Sequence, residues 1–387
     1  MPSQRRLYVS GGVFGFCAAV ALALPGSFLV QQAGDALDVT EDIEGTQLLE
    51  IGGAETYPTD TALFMTTVSS YGNADMGVPG MQALAALFNR DHQIVPVRAL
   101  YSVEESAEDV DQRNAAMMTS SQDSGTVAGL QAAGYTVPMT LTVSGADEGS
   151  TAAGKLRSGD ILTSITVDSS SEDSAGQAEE AEDSSRTTTE LTTFADLSDV
   201  LFSLPAGTEV TLGFTRDGEA LEETMTTQAY EPDTTGWVHP GSRLGIYIVS
   251  TDLEFPVDVT YGVENIGGPS AGGMFALAIY DKLTEGSLGG DNRIAGTGTV
   301  SYNGDIGPIG GIPHKMVGAD SEGARYFLAP AENCAETIGF EPEGMEVFAV
   351  RNLDDSIAAT EAIGRGDTSG LTTCQQVVDE TPVTSAE

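Results

Sequence analysis

Ser270 stands in the stretch "GGPSAGG", residues 267–273, ahead of an apolar run that continues to Leu283. A serine attacks a carbonyl at neutral pH only when a base removes its proton. Pro269 sits where a helix can begin, and the apolar run suits a helix buried in a core. The first turn of such a helix carries backbone N–H groups without intrahelical partners. Backbone around Gly268, Pro269 and Ala271 would then face the oxyanion formed on attack, with the helix dipole adding to its stabilisation. Gly267 and Gly268 would let a substrate backbone approach closely.

The base must come from elsewhere in the chain. The histidines are His92, His239 and His314, and none lies in a recognisable triad pattern. A second stretch, "GTGTVSYNGDIGPIGGIPHKMVGA" (296–319), offers Lys315. Asn303-Gly304 is a strong hairpin turn, Gly310-Gly311 ends the hairpin, and Pro313 suits the first position of a helix. Lys315 would lie in that helix's first turn, where the dipole and burial both disfavour an ammonium. Both push it towards the neutral amine that a general base must be. A Ser-His pair using His314 stays open, and it would make His314 as important as Lys315.

Positioning these groups takes an α+β arrangement. "FPVDVTYGV" (255–263) is strand-like and "ENIGG" breaks it before the serine. Upstream, Thr61 to Gly72 reads as a strand. Glu104 to Gly134 reads as a helix or helix pair with small and Met positions turned inward, stopped at Gly134. Between Tyr135 and Gln228, "VPMTLTVSG" and "GTEVTLGFTRDG" alternate like strands and "FADLSDVLFSL" like a short helix. Within that unit, the acidic stretch near 168–190 is too poor in apolar residues to order itself.

At 387 residues the chain should hold two or three domains. The expected division is 1–34, 35–134, 135–228 and 241–364, with a polar tail at 365–387. A formal charge of −42 argues against nucleic acid or anionic lipid as partners. Arg5 and Arg6 precede a charge-free run from Leu7 to Val30, long enough to span a bilayer as one transmembrane helix. The arginines would keep the amino terminus cytoplasmic and place the rest of the chain outside the cell membrane. A cleaved signal peptide is the rival reading. Cys17 lies within the run; Cys334 and Cys374 remain, and two exported cysteines often bridge, with two unrelated thiols as the alternative.

Two families are legible in these segments. "GSTAAGKLRSGDILTSITVD" (149–168) resembles a bacterial PDZ domain through Ala153, Leu156, Gly159, Asp160 and Ile161. "FADLSDVLFSLPAGTEVTLGFTRDG" is similar to the helix and final strands of that family. The resemblance implies a β-rich domain whose groove takes a peptide as an added strand. No carboxylate-binding loop is readable near Thr136 to Pro138, and the acidic insertion departs from the family pattern.

"GGPSAGGMFALAIYDKLT" and "IAGTGTVSYNGDIGPIGGIPHKMVGA" together resemble the serine and lysine segments of the Lon proteolytic domain. That resemblance spans 241–364 and implies a serine–lysine dyad: Ser270 as nucleophile, Lys315 as base, and Thr297 as the hydroxyl that helps hold the lysine amine. Gly267 stands where many Lon enzymes carry an acidic residue. No G-x-x-x-x-G-K-[ST] phosphate loop occurs in the chain. The order of segments resembles the membrane-anchored, ATP-independent Lon-like proteases of bacterial envelopes.

The expected activity is a serine endopeptidase that cleaves flexible or unfolded envelope proteins without ATP, cofactor or metal. The PDZ-like unit would recruit or gate substrate. A non-catalytic PDZ adaptor is the alternative. No assembly signal is readable, which leaves a homo-oligomer open. Replacing Ser169 to Ser185 with a short Gly-Ser linker should leave stability and small-peptide cleavage unchanged. A substantial loss of either, by thermal unfolding or a fluorogenic assay, would show that the acidic stretch packs or binds.

Overall fold

Pro25 and Gly26 divide the amino-terminal apolar run, because proline cannot continue a helix. The computed structural model describes residues 2–43, 46–89, 91–168, 186–262 and 266–381. In it, helix α1 (Pro2–Ala23) ends before these residues and strand β1 (Phe28–Asp38) begins after them. Leu29 and Val30 are buried in the molecule's interior. The transmembrane helix expected from Leu7 to Val30 is therefore not formed. Among the described residues no helix is long and apolar enough to cross a membrane. The helical part of the run extends only about 26 Å at ~1.5 Å per residue, against a hydrocarbon core of about 30 Å. The single-pass localisation, with the amino terminus cytoplasmic and the catalytic part outside, is corrected with it.

β1 pairs antiparallel with β2 (Ala62–Tyr71) on one side and β3 (Gln93–Pro96) on the other. Helix α2 (Ala107–Ala132) is one continuous helix rather than a pair. Ser106 and Asp109 exchange hydrogen bonds at its start as a capping box.

The next stretch builds a separate sheet. Its strands are β4 (Thr140–Ala146), β5 (Ile161–Asp168), β6 (Arg186–Glu190), β7 (Glu209–Arg216), β8 (Glu219–Thr226) and β9 (Ile246–Thr251). The order is β8-β7-β5-β4-β9, with β6 also on β5. Helix α3 (Phe194–Ser203), opened by a Thr193–Asp196 capping box, turns Leu197 and Leu201 into the core. Asp160 is buried and accepts two hydrogen bonds of 2.7 Å from the Arg216 guanidinium. That bidentate pairing, chiefly, holds its carboxyl below the usual carboxylate range. Most of the acidic stretch, 169–185, lies outside the described residues.

The carboxy-terminal part returns to the first sheet. It supplies α4 (Gly272–Leu283), β10 (Arg293–Gly296), the β11 (Thr299–Val300) and β12 (Ile306–Gly307) hairpin, and α5 (Ile312–Ser321). β13 (Tyr326–Pro330), β14 (Glu346–Val350), α6 (Leu353–Gly364) and α7 (Cys374–Glu380) follow. The sheet order is β14-β13-β10-β2-β1-β3, so strands from both ends of the chain meet at the β10–β2 contact. Successive residues of a strand face opposite sides. Leu63, Met65 and Ile294 join the core around Phe275 of α4, while Phe64 and Ala295 join Ile312 and Met316 of α5. The two helices therefore cover opposite faces of the sheet.

Helix α7, within the stretch expected as a polar tail, is tied to the body by a disulfide between Cys334 and Cys374. Closing a loop of this length restricts the unfolded chain. Replacing both cysteines with serine should lower stability by about 2–4 kcal/mol in urea unfolding. Unchanged stability after replacement, or after thiol reduction, would show that the bridge contributes nothing.

Candidate active site

Ser270 precedes α4, whose cap is Ala271 and whose first helical residue is Gly272. The helix thus starts three residues later than Pro269 suggests. The loop that carries Ser270 is held from two sides. From α2, the Ser121 hydroxyl donates to the Pro269 carbonyl at 3.0 Å, and the Asn114 carbonyl accepts from Gly268 N–H at 3.0 Å. From the end of β10, the Thr297 hydroxyl and Gly298 N–H both donate to the Ser270 carbonyl, at 3.0 and 2.9 Å. Thr297 is buried and its hydroxyl meets the serine's main chain, whereas the family resemblance implies contact with the lysine amine. Asn114 and Ser121 escaped sequence reading, since the helix that carries them was legible only through its small and Met positions.

Lys315 lies in the first turns of α5, and its own N–H donates to the Gly311 carbonyl at 3.2 Å. Ile312 takes the first helical position and Pro313 the second. Gly311 has φ +79°, and a Cβ there would meet Val68 at 2.8 Å, so only glycine fits this approach to β2. Lys315 is 3% exposed. Its Nζ lies 3.0 Å from Ser270 Oγ and donates to the Thr66 carbonyl at 2.5 Å. Burial lowers its pKa to about 7. At neutral pH a large share of the amine is therefore uncharged and able to take a proton.

The two groups meet because β10 stops at Gly296, opposite Met65. Beyond that point β2 has β1 on one side and no described strand on the other. Nζ reaches past the end of β10 to a serine presented from the opposite face. Residues Thr66 to Tyr71 line a cavity of about 700 Å³ together with Ser270, Lys315 and the turn at Pro308–Gly310. The unpaired side of β2 can accept an extended chain as a further strand next to the serine. First-turn N–H groups of a helix can stabilise an oxyanion, but here Gly273 N–H is already taken by the Gly298 carbonyl at 3.1 Å.

Gly267 also has a physical reason. A Cβ there would meet Cβ of Asn114 at 2.6 Å, so an acidic side chain at this position would collide with α2. The histidines lie elsewhere. His314 is buried beside Asp91 and His92, and burial lowers its pKa. His239 bonds the Pro240 carbonyl at 2.7 Å and approaches Asp305 at 3.4 Å. Among the described residues no group of His, Cys, Asp and Glu side chains is arranged to hold a metal ion.

Residues 249–360 match the family model of the Lon protease (S16) C-terminal proteolytic domain. The chain is 32% identical over 128 residues to "Lon protease homolog 2, peroxisomal" of Caenorhabditis elegans, covering 32% of this chain and 16% of the relative. It is 32% identical over 105 residues to "Lon protease 2" of Bacillus subtilis, covering 27% of this chain and 18% of the relative. The chain thus spans less than a fifth of the length of these relatives. A solved PDZ domain, from the SdrC-like protein of Listeria monocytogenes, aligns at 17% identity over 28% of this chain and 86% of that one. With a TM-score of 0.19, that likeness carries no argument. The matched span contains both Ser270 and Lys315, and these matches support a Lon-like serine protease, a serine-type endopeptidase.

Proposed function

We propose that the chain is an endopeptidase working through a Ser270–Lys315 dyad, independent of ATP, on flexible or unfolded protein segments. The observation that carries this reading is the 3.0 Å approach of a buried Lys315 amine to Ser270 Oγ, with a pKa brought to about 7. An extended segment pairs with the free side of β2 and brings its carbonyl to the serine. Ser270 Oγ attacks the carbonyl carbon while its proton passes to neutral Lys315. Backbone N–H groups at the start of α4 hold the oxyanion. As the intermediate collapses, Lys315 returns the proton to the leaving amine, and the acyl-enzyme remains. Lys315 then takes a proton from water, and the resulting attack releases the second product. A folded substrate presents no free extended backbone to this edge, so flexible segments are the substrates that fit.

The PDZ-like unit supplies recruitment or gating in this reading. Strand β9 pairs with β4 alone among the described strands and runs beside α3, an arrangement suited to strand capture.

The rate of peptide cleavage should rise with pH along a limb centred near Lys315's value of about 7. Lys315→Arg should abolish turnover, because guanidinium keeps its proton at accessible pH. Ser270→Ala should be equally inactive, and the double variant hardly worse than either. Near wild-type cleavage by purified Lys315→Arg would overturn the mechanism. Thr297→Val should slow cleavage by about tenfold or less with the pH midpoint unmoved, since its hydroxyl acts on the serine's backbone. A shifted midpoint would mean that it acts on the lysine instead.

Stability carries the same signature. Lys315 titrates near 7 when folded and near 10.5 when unfolded. Between those values the unfolded chain binds more protons, so this group makes stability rise with pH across that window. Lys315→Met should remove that part of the slope in urea unfolding at successive pH values. An unchanged slope would show that the amine is not desolvated.

A further inference from the structure

A second groove, of about 600 Å³, runs between α3 and the edge strand β9. Leu197, Leu201 and Leu244 make its floor apolar. One wall comes from the protease part of the chain: Asn303 and Asp305 from the β11–β12 turn, and Asn352 and Asp354 from the start of α6. That wall is fixed in place. Arg351 pairs with Asp233 at 2.7 Å and lies over the Trp237 ring at 4.6 Å. Phe194 of α3 meets Tyr302 of the hairpin turn, with ring centroids 6.0 Å apart. Asn303 Nδ2 donates to Asp305 Oδ2 at 2.8 Å, which aims the carboxylate. The groove is therefore completed only where the two parts of the chain touch.

Its charge is one-sided. Arg243 is already paired with Asp147 at 3.2 Å, while Asp305 has no lysine or arginine partner among the described residues and meets the His239 ring at 3.4 Å. Asp199 and Asp354 line the groove, are exposed, and have no ion-pair partner among the described residues. Carboxylates are common on a chain of charge −42, so their number alone decides nothing. Position does: they stand at the rim of an apolar groove, next to a strand edge open to pairing. Tyr247 and Val249 leave that strand exposed by 59% and 50%. A peptide added to β9 would lay apolar side chains on the floor and carry its next charge to this rim. The chain's own acidic stretch at 169–185 has the wrong sign to be that peptide.

We propose that this composite groove selects extended protein segments that carry a lysine or arginine flanked by apolar residues, the cation facing Asp305 and Asp354. The inference rests on the strand-capture reading above and adds the chemistry of what is captured. The full chain with Ser270→Ala binds without cleaving, so affinity is measured by fluorescence anisotropy. Two labelled apolar peptides are compared, identical except for a central lysine or leucine. The lysine peptide should bind about fivefold more tightly at low salt, with the preference shrinking as salt rises. Asp305→Asn with Asp354→Asn should bring the two affinities within about twofold. If that pair unfolds, Asp354→Asn alone, an exposed position, should still cut the preference about twofold. Ser198→Trp, which fills the groove from α3, should weaken both peptides. Equal binding of the two peptides, blocked by Ser198→Trp, would overturn the basic preference and leave strand capture standing. A lysine preference that survives Ser198→Trp places the selection elsewhere and overturns the composite site. If neither peptide binds, strand capture itself fails, and this inference with it.

Discussion

A lysine amine kept neutral without a counter-ion is the constraint on which the rest depends. In a chain with 58 acidic residues, a carboxylate beside Lys315 would restore its charge and rule out the base role proposed for it. The groups bonded to Nζ are instead a hydroxyl and a main-chain carbonyl, both neutral. Burial alone then lowers the pKa. The packing of the Ser270 loop on α2 serves the same end. It leaves no room for a side chain at Gly267, where an acid would otherwise sit close to the site.

Keeping that amine dry while letting it reach the serine is a problem of layers. α4 and α5 cover opposite faces of one sheet, and through a continuous sheet their first turns could not touch. The short β10 solves this by ending at Gly296, which opens a passage beside β2. The same ending leaves the β2 edge from Thr66 onward free of a strand neighbour. One early strand end thus produces both the contact between the two groups and the free β2 edge on which the proposed substrate pairing rests. Gly311 completes the arrangement, because its left-handed conformation lets α5 start hard against Val68.

The β11–β12 hairpin links this site to the second groove. At its base, Gly298 N–H holds the Ser270 carbonyl. At its tip, Asn303 and Asp305 form part of the wall beside α3 and β9. The two parts touch through local contacts, the partly exposed Arg351–Asp233 pair, the Trp237 ring and the Phe194–Tyr302 rings, rather than through charge attraction in bulk. For a chain of this net charge that is the workable choice, since two acidic bodies repel each other at long range.

Much of the chemistry was legible in the order of residues. Ser270 ahead of an apolar helix, Lys315 after a glycine-ended hairpin, and the Asn303-Gly304 turn all follow from local rules about caps, turns and helix starts. The distance between serine and lysine was not legible, because it is set by strands at residues 62–71 that lie far away along the chain. Asn114, Ser121 and the Thr66 carbonyl were invisible for the same reason: a backbone carbonyl or a plain helix residue carries no signal in its type. The amino-terminal run shows the opposite failure. Its composition suggested a membrane span, but Pro25 and Gly26 broke the helix, and pairing of β1 with β2 and β3 drew Leu29 and Val30 into the interior. By itself, then, the sequence determined which groups could do the chemistry and which helices would present them, since caps and glycines act within a few residues. Tertiary structure alone decided that the amine meets the hydroxyl, because only the sheet brings residues 66, 270 and 315 to one point.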